Sequence, residues 1–334
     1  MNLGMIGFGG VGKAFVELIY NKKELRRNFK LKYILKSSGG LYDSEGLDIE
    51  EIYYYIKANK QIEEHELFKN ITIDDIIKNN DIDYLIELTS TNIEDGQPGY
   101  THIKKALSNN INVVTGNKGP IVLHYNELKQ IAKESNVQLK IGCTTGGALP
   151  SINVGVMDTL GSDVLEIQGV LNGTTNFIIE EMANKKIEYQ EALKEAQRQN
   201  IAEKNPKLDV EGYDTAIKTL ILAKAVMDVD LSINNINIKG ITELTLNEVI
   251  DARNNNNNKI KLIGRVIKNN EDIIVEVKPL QIDESHPLYS VDGKNKGVYY
   301  KTDTLGDITV IGGASGTINA AASIMRDVLS IKKG

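Results

Sequence analysis

The chain has 334 residues, 41% of them hydrophobic and 25% charged, with a formal net charge of -6 and a pI near 5.5. That length supplies core for two domains of ordinary size, and the hydrophobic share excludes an intrinsically disordered chain. An acidic balance without a dense basic cluster excludes nucleic acid and anionic membrane surfaces as expected partners.

The chain opens on MNLGMIGFGG, already a strand and a turn, with neither the basic region nor the long apolar run of a signal peptide, so a cytoplasmic protein is expected. A single cysteine, Cys143, fits a reducing compartment. Residues 3–6, 31–35, 84–88, 112–115 and 137–141 read as short apolar strands, separated by amphipathic helices such as 13–20 and 102–109. This alternation predicts a Rossmann-type, doubly wound parallel α/β sheet. Residues 39–65 form an insertion whose core, LDIEEIYYYIKANK, has helical periodicity, and its three tyrosines read as packing residues. After Pro150 come helical runs at 178–202 and 212–227, then strand-like pieces broken by Asn, Asp and Pro, a second α+β domain. The asparagine run 254–258 reads as a surface loop. Residues 308–331 give a strand, a glycine-rich turn and a helix that return to the first domain. The expected division is 1–140 plus 305–334 for a dinucleotide-binding domain and 141–304 for a catalytic domain.

Gly7-Phe8-Gly9-Gly10-Val11-Gly12 fits G-x-G-x-x-G, follows a predicted strand and opens a helix. The glycines permit a tight turn, close backbone approach to a pyrophosphate and close helix packing, while the helix N-terminus offers oriented N–H groups to phosphate. At the end of the second strand an NAD enzyme places Asp or Glu, whereas this chain reads Leu35-Lys36-Ser37-Ser38. Lys36 flanked by hydroxyls favours the 2′-phosphate of NADP, with NAD as the alternative cofactor and a solvated surface lysine as the plainer reading.

The segment from Ala202 to Lys218 carries the most visible chemistry. Asp214 and Lys218 stand i to i+4 on one helix face, and the apolar remainder of that helix marks it as buried. A lysine there needs a charged partner, and hydride transfer to a carbonyl needs a proton donor at the nascent alkoxide. Lys218 is therefore the candidate general acid/base. Glu203 could receive a substrate α-amino group, and the turn bearing Gly173, Thr174 and Thr175 offers N–H groups and hydroxyls to a carboxylate. Lys118, after a predicted strand at the carboxyl edge of the sheet, is a second candidate proton donor. His65, His102, His124 and His286 show no metal-ligand spacing.

These segments resemble homoserine dehydrogenases over nearly the whole chain: GFGGVG, Glu87-Leu88-Thr89-Ser90, TGNKGP, GCTTGGALP ending at Pro150, GVLNGTTNFI, AEKNPKLDVEGYDTAIK and the turn Gly313-Ala314-Ser315-Gly316. The resemblance implies NADP-dependent interconversion of L-aspartate 4-semialdehyde and L-homoserine in threonine, methionine and isoleucine biosynthesis, by a homodimer joined through its second domain. It implies Lys218 as proton donor, Glu203, Asp209 and Asp214 as residues holding substrate or orienting lysines, and Lys118 between nicotinamide and substrate. Phe8, Gly10, Val11, Thr89, Ser90 and Gly316 fall at cofactor-contacting positions. The same resemblance implies a sodium ion on the backbone carbonyls of Gly142, Thr145, Gly147 and Leu149, a site without any residue signature. Two departures stand out. Ser315 replaces a glycine common in relatives, and the chain ends soon after Ile331, which leaves no room for the regulatory domain of longer members and predicts weak or absent inhibition by threonine.

Two other readings compete. An aldehyde dehydrogenase of the aspartate semialdehyde dehydrogenase type would use Cys143 as nucleophile. A non-catalytic NADP sensor would need the glycine turn but no substrate lysine.

Overall fold

In the computed structural model, which describes residues 1–269 and 272–333, the apolar strand runs of the N-terminal region assemble around one parallel sheet. Its strands are β1 (Asn2–Ile6), β2 (Lys30–Lys36), β3 (Gly39–Tyr42), β4 (Phe68–Lys69), β5 (Tyr84–Glu87), β6 (Asn112–Thr115) and β7 (Leu139–Lys140). They lie in the order β4-β3-β2-β1-β5-β6-β7, parallel from β2 to β7, with β3 and β4 antiparallel at one edge. The chain passes from β1 to β2 on one side and later to β5 on the other, so the order reverses beside β1, where doubly wound sheets place their ligands.

The sheet is covered by the helix Gly10–Asn21, whose Ala14, Phe15, Val16, Leu18 and Ile19 are buried, and by the helix Thr317–Lys333, which adds Ala321, Ile324, Met325, Val328 and Ile331 to the same core. Burying one such aromatic or branched side chain contributes about 1.5–3 kcal/mol. The insertion differs from expectation. Lys36 pairs with Gly39 across a two-residue turn, so Gly39–Tyr42 folds back as a strand before any helix begins. The helix is confined to Ile49–Lys57 and starts at Asp48, whose carboxylate accepts from Glu50 N (2.8 Å) and Glu51 N (3.3 Å). Tyr53 stacks on Tyr20 at 3.9 Å between ring centroids, a packing contact within this unit.

The second sheet contains β8 (Val164–Val170), β9 (Asn237–Ile238), β10 (Lys259–Asn269), β11 (Asp272–Ile282), β12 (Lys296–Thr302) and β13 (Asp307–Gly312), ordered β13-β12-β8-β10-β11-β9. All neighbours are antiparallel except the short β9 beside β11. The helix Tyr213–Met227 buries Thr215, Ala216, Ile217, Thr219, Leu220, Ile221, Leu222 and Ala223. The predicted long run 178–202 is two helices, Gly173–Lys185 and Tyr189–Arg198, because Lys186 adopts a left-handed conformation (φ 55°) that ends the first.

The chain divides into two units, Met1–Ala148 with Ser315–Gly334, and Leu149–Ala314. The closing segment therefore begins ten residues later than the predicted 305, since β13 forms a hairpin with β12, Tyr299 opposite Thr309. The first boundary falls after Ala148 rather than at 140, because Gly142 N donates to the buried Asp327 carboxylate (2.8 Å) of the last helix. Gly334, the end of the predicted segment, lies outside the described residues. No described helix is long and apolar enough to cross a membrane.

Candidate active site

At the carboxyl end of β1 the backbone is shaped to receive a phosphate. Gly7 has φ +104°, and a Cβ there would stand 2.4 Å from the Leu88 carbonyl carbon. A Cβ on Gly12 would stand 2.4 Å from the Gly7 oxygen, so both positions exclude any side chain. Gly9, by contrast, is exposed and faces open space. The helix it caps has no side-chain cap and no acidic residue in its first turn, so its N–H groups and positive dipole end remain for an anion. These features fit a dinucleotide pyrophosphate. Gly316 precedes the last helix at φ +129° with open space around it, and Thr317 Cγ2 would lie 3.0 Å from a Cβ on Gly10, which places Gly316 beside the glycine turn.

Three residues of the expected cofactor set also have partners within the fold. The Phe8 side chain is buried in the hydrophobic core, so only its backbone is presented at the turn; Val11 packs partly against the same core. Lys36 is half-buried and its ammonium is 2.5 Å from Glu63 Oε1, a partner that no local sequence pattern announces.

The carboxyl ends of β5 and β6 are tied together by a fully buried carboxylate, Glu87. It accepts from Thr89 N (3.1 Å), from the Thr89 hydroxyl and from Thr115 Oγ1 (3.1 Å), with His102 Nδ1 3.7 Å away. Asn117 Nδ2 donates to Thr89 Oγ1 (3.1 Å) and approaches the Ser90 carbonyl (3.5 Å), while Asn117 Oδ1 caps the next helix by accepting from Gly119 N (3.1 Å). This network holds the Thr89–Ser90 loop against the start of the helix Lys118–Glu134. Ser90 is exposed and Lys118 half-buried at the edge where the cofactor reading places them. Glu87 and Asn117 orient this edge.

In the second unit Lys218 and Asp214 meet as their spacing predicts. Lys218 Nζ donates to Asp214 Oδ2 (2.6 Å) and to the Leu171 carbonyl (2.9 Å), with only 15% and 12% of the two side chains exposed. The third member is buried Asn172, whose amide donates to Asp209 Oδ1 (2.6 Å) and Asp214 Oδ2 (2.9 Å). One amide between two carboxylates relieves their repulsion and fixes Asp214 beneath the ammonium. Asn172 also caps the helix Gly173–Lys185 by accepting from Thr175 N (3.0 Å).

The turn hydroxyls are committed to structure: Thr174 Oγ1 donates to the Ile201 carbonyl (3.0 Å) and buried Thr175 Oγ1 to the Asn172 carbonyl (3.1 Å). What remains for a substrate carboxylate is the first-turn N–H of Gly173 and of Thr174. Gly173 is required sterically, since a Cβ would stand 2.9 Å from the Lys294 carbonyl. Glu203 is exposed, and its carboxylate takes no part in the Asp209–Asn172–Asp214–Lys218 hydrogen bonds.

Gly142, Thr145 and Gly147 lie in or beside the short helical turn Cys143–Gly146 of the first unit, and Leu149 opens the second. The Leu149 carbonyl accepts from Ser151 N (2.8 Å). Cys143 packs partly buried against the core, its thiol 3.7 Å from the Ala320 carbonyl, the setting of a structural thiol.

Comparison with known proteins agrees with both halves. The family described as homoserine dehydrogenase matches residues 150–329, and its NAD-binding domain matches residues 7–141. The chain is 35% identical to the homoserine dehydrogenase of Methanocaldococcus jannaschii, over 99% of this chain and 98% of that one. It is 32% identical to an NAD(+)-dependent homoserine dehydrogenase of Pseudomonas canavaninivorans, over 98% and 95%. A crystal structure of an Archaeoglobus fulgidus protein superposes with a TM-score of 0.87 at 28% identity over 99% of both chains. That of the Thiobacillus denitrificans homoserine dehydrogenase gives 0.82 at 25% identity, covering 100% of this chain and 73% of that one. The chain thus belongs to the homoserine dehydrogenase family, nicotinamide-dependent oxidoreductases that act on a CH–OH group.

Proposed function

We propose that the chain interconverts L-aspartate 4-semialdehyde and L-homoserine, with NADP the preferred cofactor and Lys218 the general acid/base. The observation that carries the assignment of Lys218 is its setting: two of three ammonium donors are held by Asp214 and the Leu171 carbonyl, and the third is left for a substrate oxygen. When bound, the nicotinamide exchanges a hydride with the substrate carbon. In the direction of reduction Lys218 gives a proton to the carbonyl oxygen as the alcohol forms; in oxidation it takes that proton back. Asp214 stabilises the ammonium, and Asn172 keeps Asp214 from turning toward Asp209.

The N–H groups of Gly173 and Thr174 hold the amino-acid carboxylate, while Glu203 and Asp209 face its α-amino group. Lys118 is the second candidate proton donor. Sodium bound by the carbonyls of Gly142, Thr145, Gly147 and Leu149 would order their loop. The cellular setting proposed is the biosynthesis of threonine, methionine and isoleucine in the cytoplasm, carried out by a homodimer joined through residues of the second unit.

The test is nicotinamide absorbance during oxidation of L-homoserine, with NADP and NAD in parallel, on the native chain and on Lys218→Ala. Turnover that collapses in the variant supports the assignment. Full turnover in the variant would transfer the role to Lys118, and no turnover in the native chain would end the reading.

A further inference from the structure

The end of β2 is where this fold meets the adenosine ribose, and the residues there, Leu35 to Ser38, include no carboxylate. A carboxylate nevertheless stands at that place. Glu63, in the short turn Ile62–Glu64 of the insertion, puts Oε1 2.5 Å from Lys36 Nζ and 3.1 Å from Ser38 Oγ. The turn is anchored because its Ile62 is buried in the first unit's core. The ammonium and the hydroxyl that would grip a 2′-phosphate therefore already share one carboxylate oxygen.

We propose that Glu63 is a specificity-determining residue that opposes NADP and favours NAD by occupying Lys36. The inference rests on the dinucleotide reading of the glycine turn and narrows the NADP preference to a balance between two side chains.

A phosphate entering here must part Lys36 from Glu63 and then lie beside a carboxylate, a like-charge contact that costs affinity. An unphosphorylated ribose needs only an acceptor for its hydroxyls, which Glu63 supplies. The pair is reachable, with side chains 31% and 33% exposed, and a half-exposed ion pair is readily parted. Lys36, followed by a backbone N–H and Ser38, holds the Glu63 carboxyl below the usual carboxylate range, so Glu63 keeps its charge at neutral pH. Lys36 and Glu63 cancel in charge, so each limits the preference that the other alone would impose. It also gives two single substitutions that should move the preference in opposite directions.

The experiment measures dissociation constants of NADPH and NADH by nucleotide fluorescence, without substrate, for the native chain, Glu63→Gln and Lys36→Met. Thermal melts of all three establish that they fold. Glu63→Gln keeps the size and an acceptor oxygen but removes the charge. It is expected to tighten NADPH about tenfold relative to NADH, the relief of one like-charge contact. Lys36→Met is expected to shift the ratio about tenfold the other way by removing the phosphate's counter-charge while leaving Glu63 for the ribose. A ratio in Glu63→Gln within about twofold of the native value, where tenfold is about 1.4 kcal/mol, would overturn the proposal. Failure of every variant to bind either dinucleotide would overturn it together with the glycine-turn site. Opposite shifts in a chain that does not oxidise homoserine would support Glu63 while sinking the substrate assignment, so the two failures are distinguishable.

Discussion

The glycine turn and the lysine network are built on opposite principles. At the turn, function comes from side chains that are absent: Gly7 and Gly12 admit no Cβ, Gly9 leaves open space, and the helix N-terminus is uncapped. At the lysine, the geometry comes from side chains that correct one another, with Asn172 bridging Asp209 and Asp214 while Lys218 rests on Asp214 and Leu171. The first is local, six residues in a row. The second joins positions 37, 42 and 47 residues apart. A site of the first kind can be lost only by adding atoms, and one of the second kind by deleting them.

The largest effect should therefore come from deletion at the lysine. Lys218→Ala is expected to lower kcat about 10²–10⁴-fold, the range for a positioned proton donor, with dinucleotide affinity unchanged in a direct binding measurement. A variant that loses dinucleotide binding instead would break the separation of the two sites. Addition at the turn comes next. Gly12→Ala drives a methyl against the Gly7 carbonyl at 2.4 Å, and overpacking of this sort costs about 1–3 kcal/mol. A lower denaturation midpoint together with weaker NADPH and NADH binding is expected. A Gly12→Ala protein that binds both dinucleotides normally would show that the close packing is dispensable.

This contrast also explains what could be read in advance. The apolar runs at 3–6, 31–35, 84–88 and 112–115 became β1, β2, β5 and β6 because a parallel strand buried on both faces needs only a short apolar run. Gly39–Tyr42 escaped because two glycines followed by Leu41 and Tyr42 carry no period-2 pattern, and the break at Lys186 because a left-handed lysine leaves no mark in composition. In the site, the i to i+4 spacing of Asp214 and Lys218 was legible on one helix. The contributions of Asn172, Glu63 and Glu87 were not, since each depends on partners brought in by the fold: Asp214, Lys36 and Thr115. The direction of the Phe8 ring was not legible for a related reason, as a motif position gives the backbone's place but not which way the ring turns.

Asn172 sharpens the comparison further because it has two separable duties. Asn172→Asp keeps an oxygen to cap the helix at Thr175 but places a third acceptor against Asp209 and Asp214, where the amide had donated. If its role is only to cap, Asp is among the best replacements and kcat should hold. If it acts by bridging Asp209 and Asp214 beneath Lys218, kcat should fall about tenfold to a hundredfold, on the scale of one charge-assisted hydrogen bond, and the melting temperature should fall with it as three carboxylates crowd together. An unchanged kcat and melting temperature would leave the cap as its only duty.

The smallest expected effect concerns another lysine of the same helix. Lys224 is 4% exposed, and its nearest carboxylate oxygen, on the mostly exposed Asp230, is 3.9 Å away. Burial pushes its pKa below the ordinary lysine value of 10.5, and Asp230 restores only part of it. The unfolded chain therefore binds more protons at this residue than the folded one between the lowered value and 10.5, so folding stability rises with pH across that window. Below that window both states carry the charge and the folded state bears the whole burial cost. Lys224→Met should accordingly stabilise the protein at pH 7 by about 1 kcal/mol or more, the gain from replacing a poorly compensated buried charge by an apolar side chain. That advantage should shrink toward pH 10.5, which urea denaturation of both proteins at pH 7 and pH 10 would reveal. An equal difference at the two pH values would mean that the ammonium is solvated. The helix would then no longer separate a lysine held by close acceptors, Lys218, from one merely tolerated by the core.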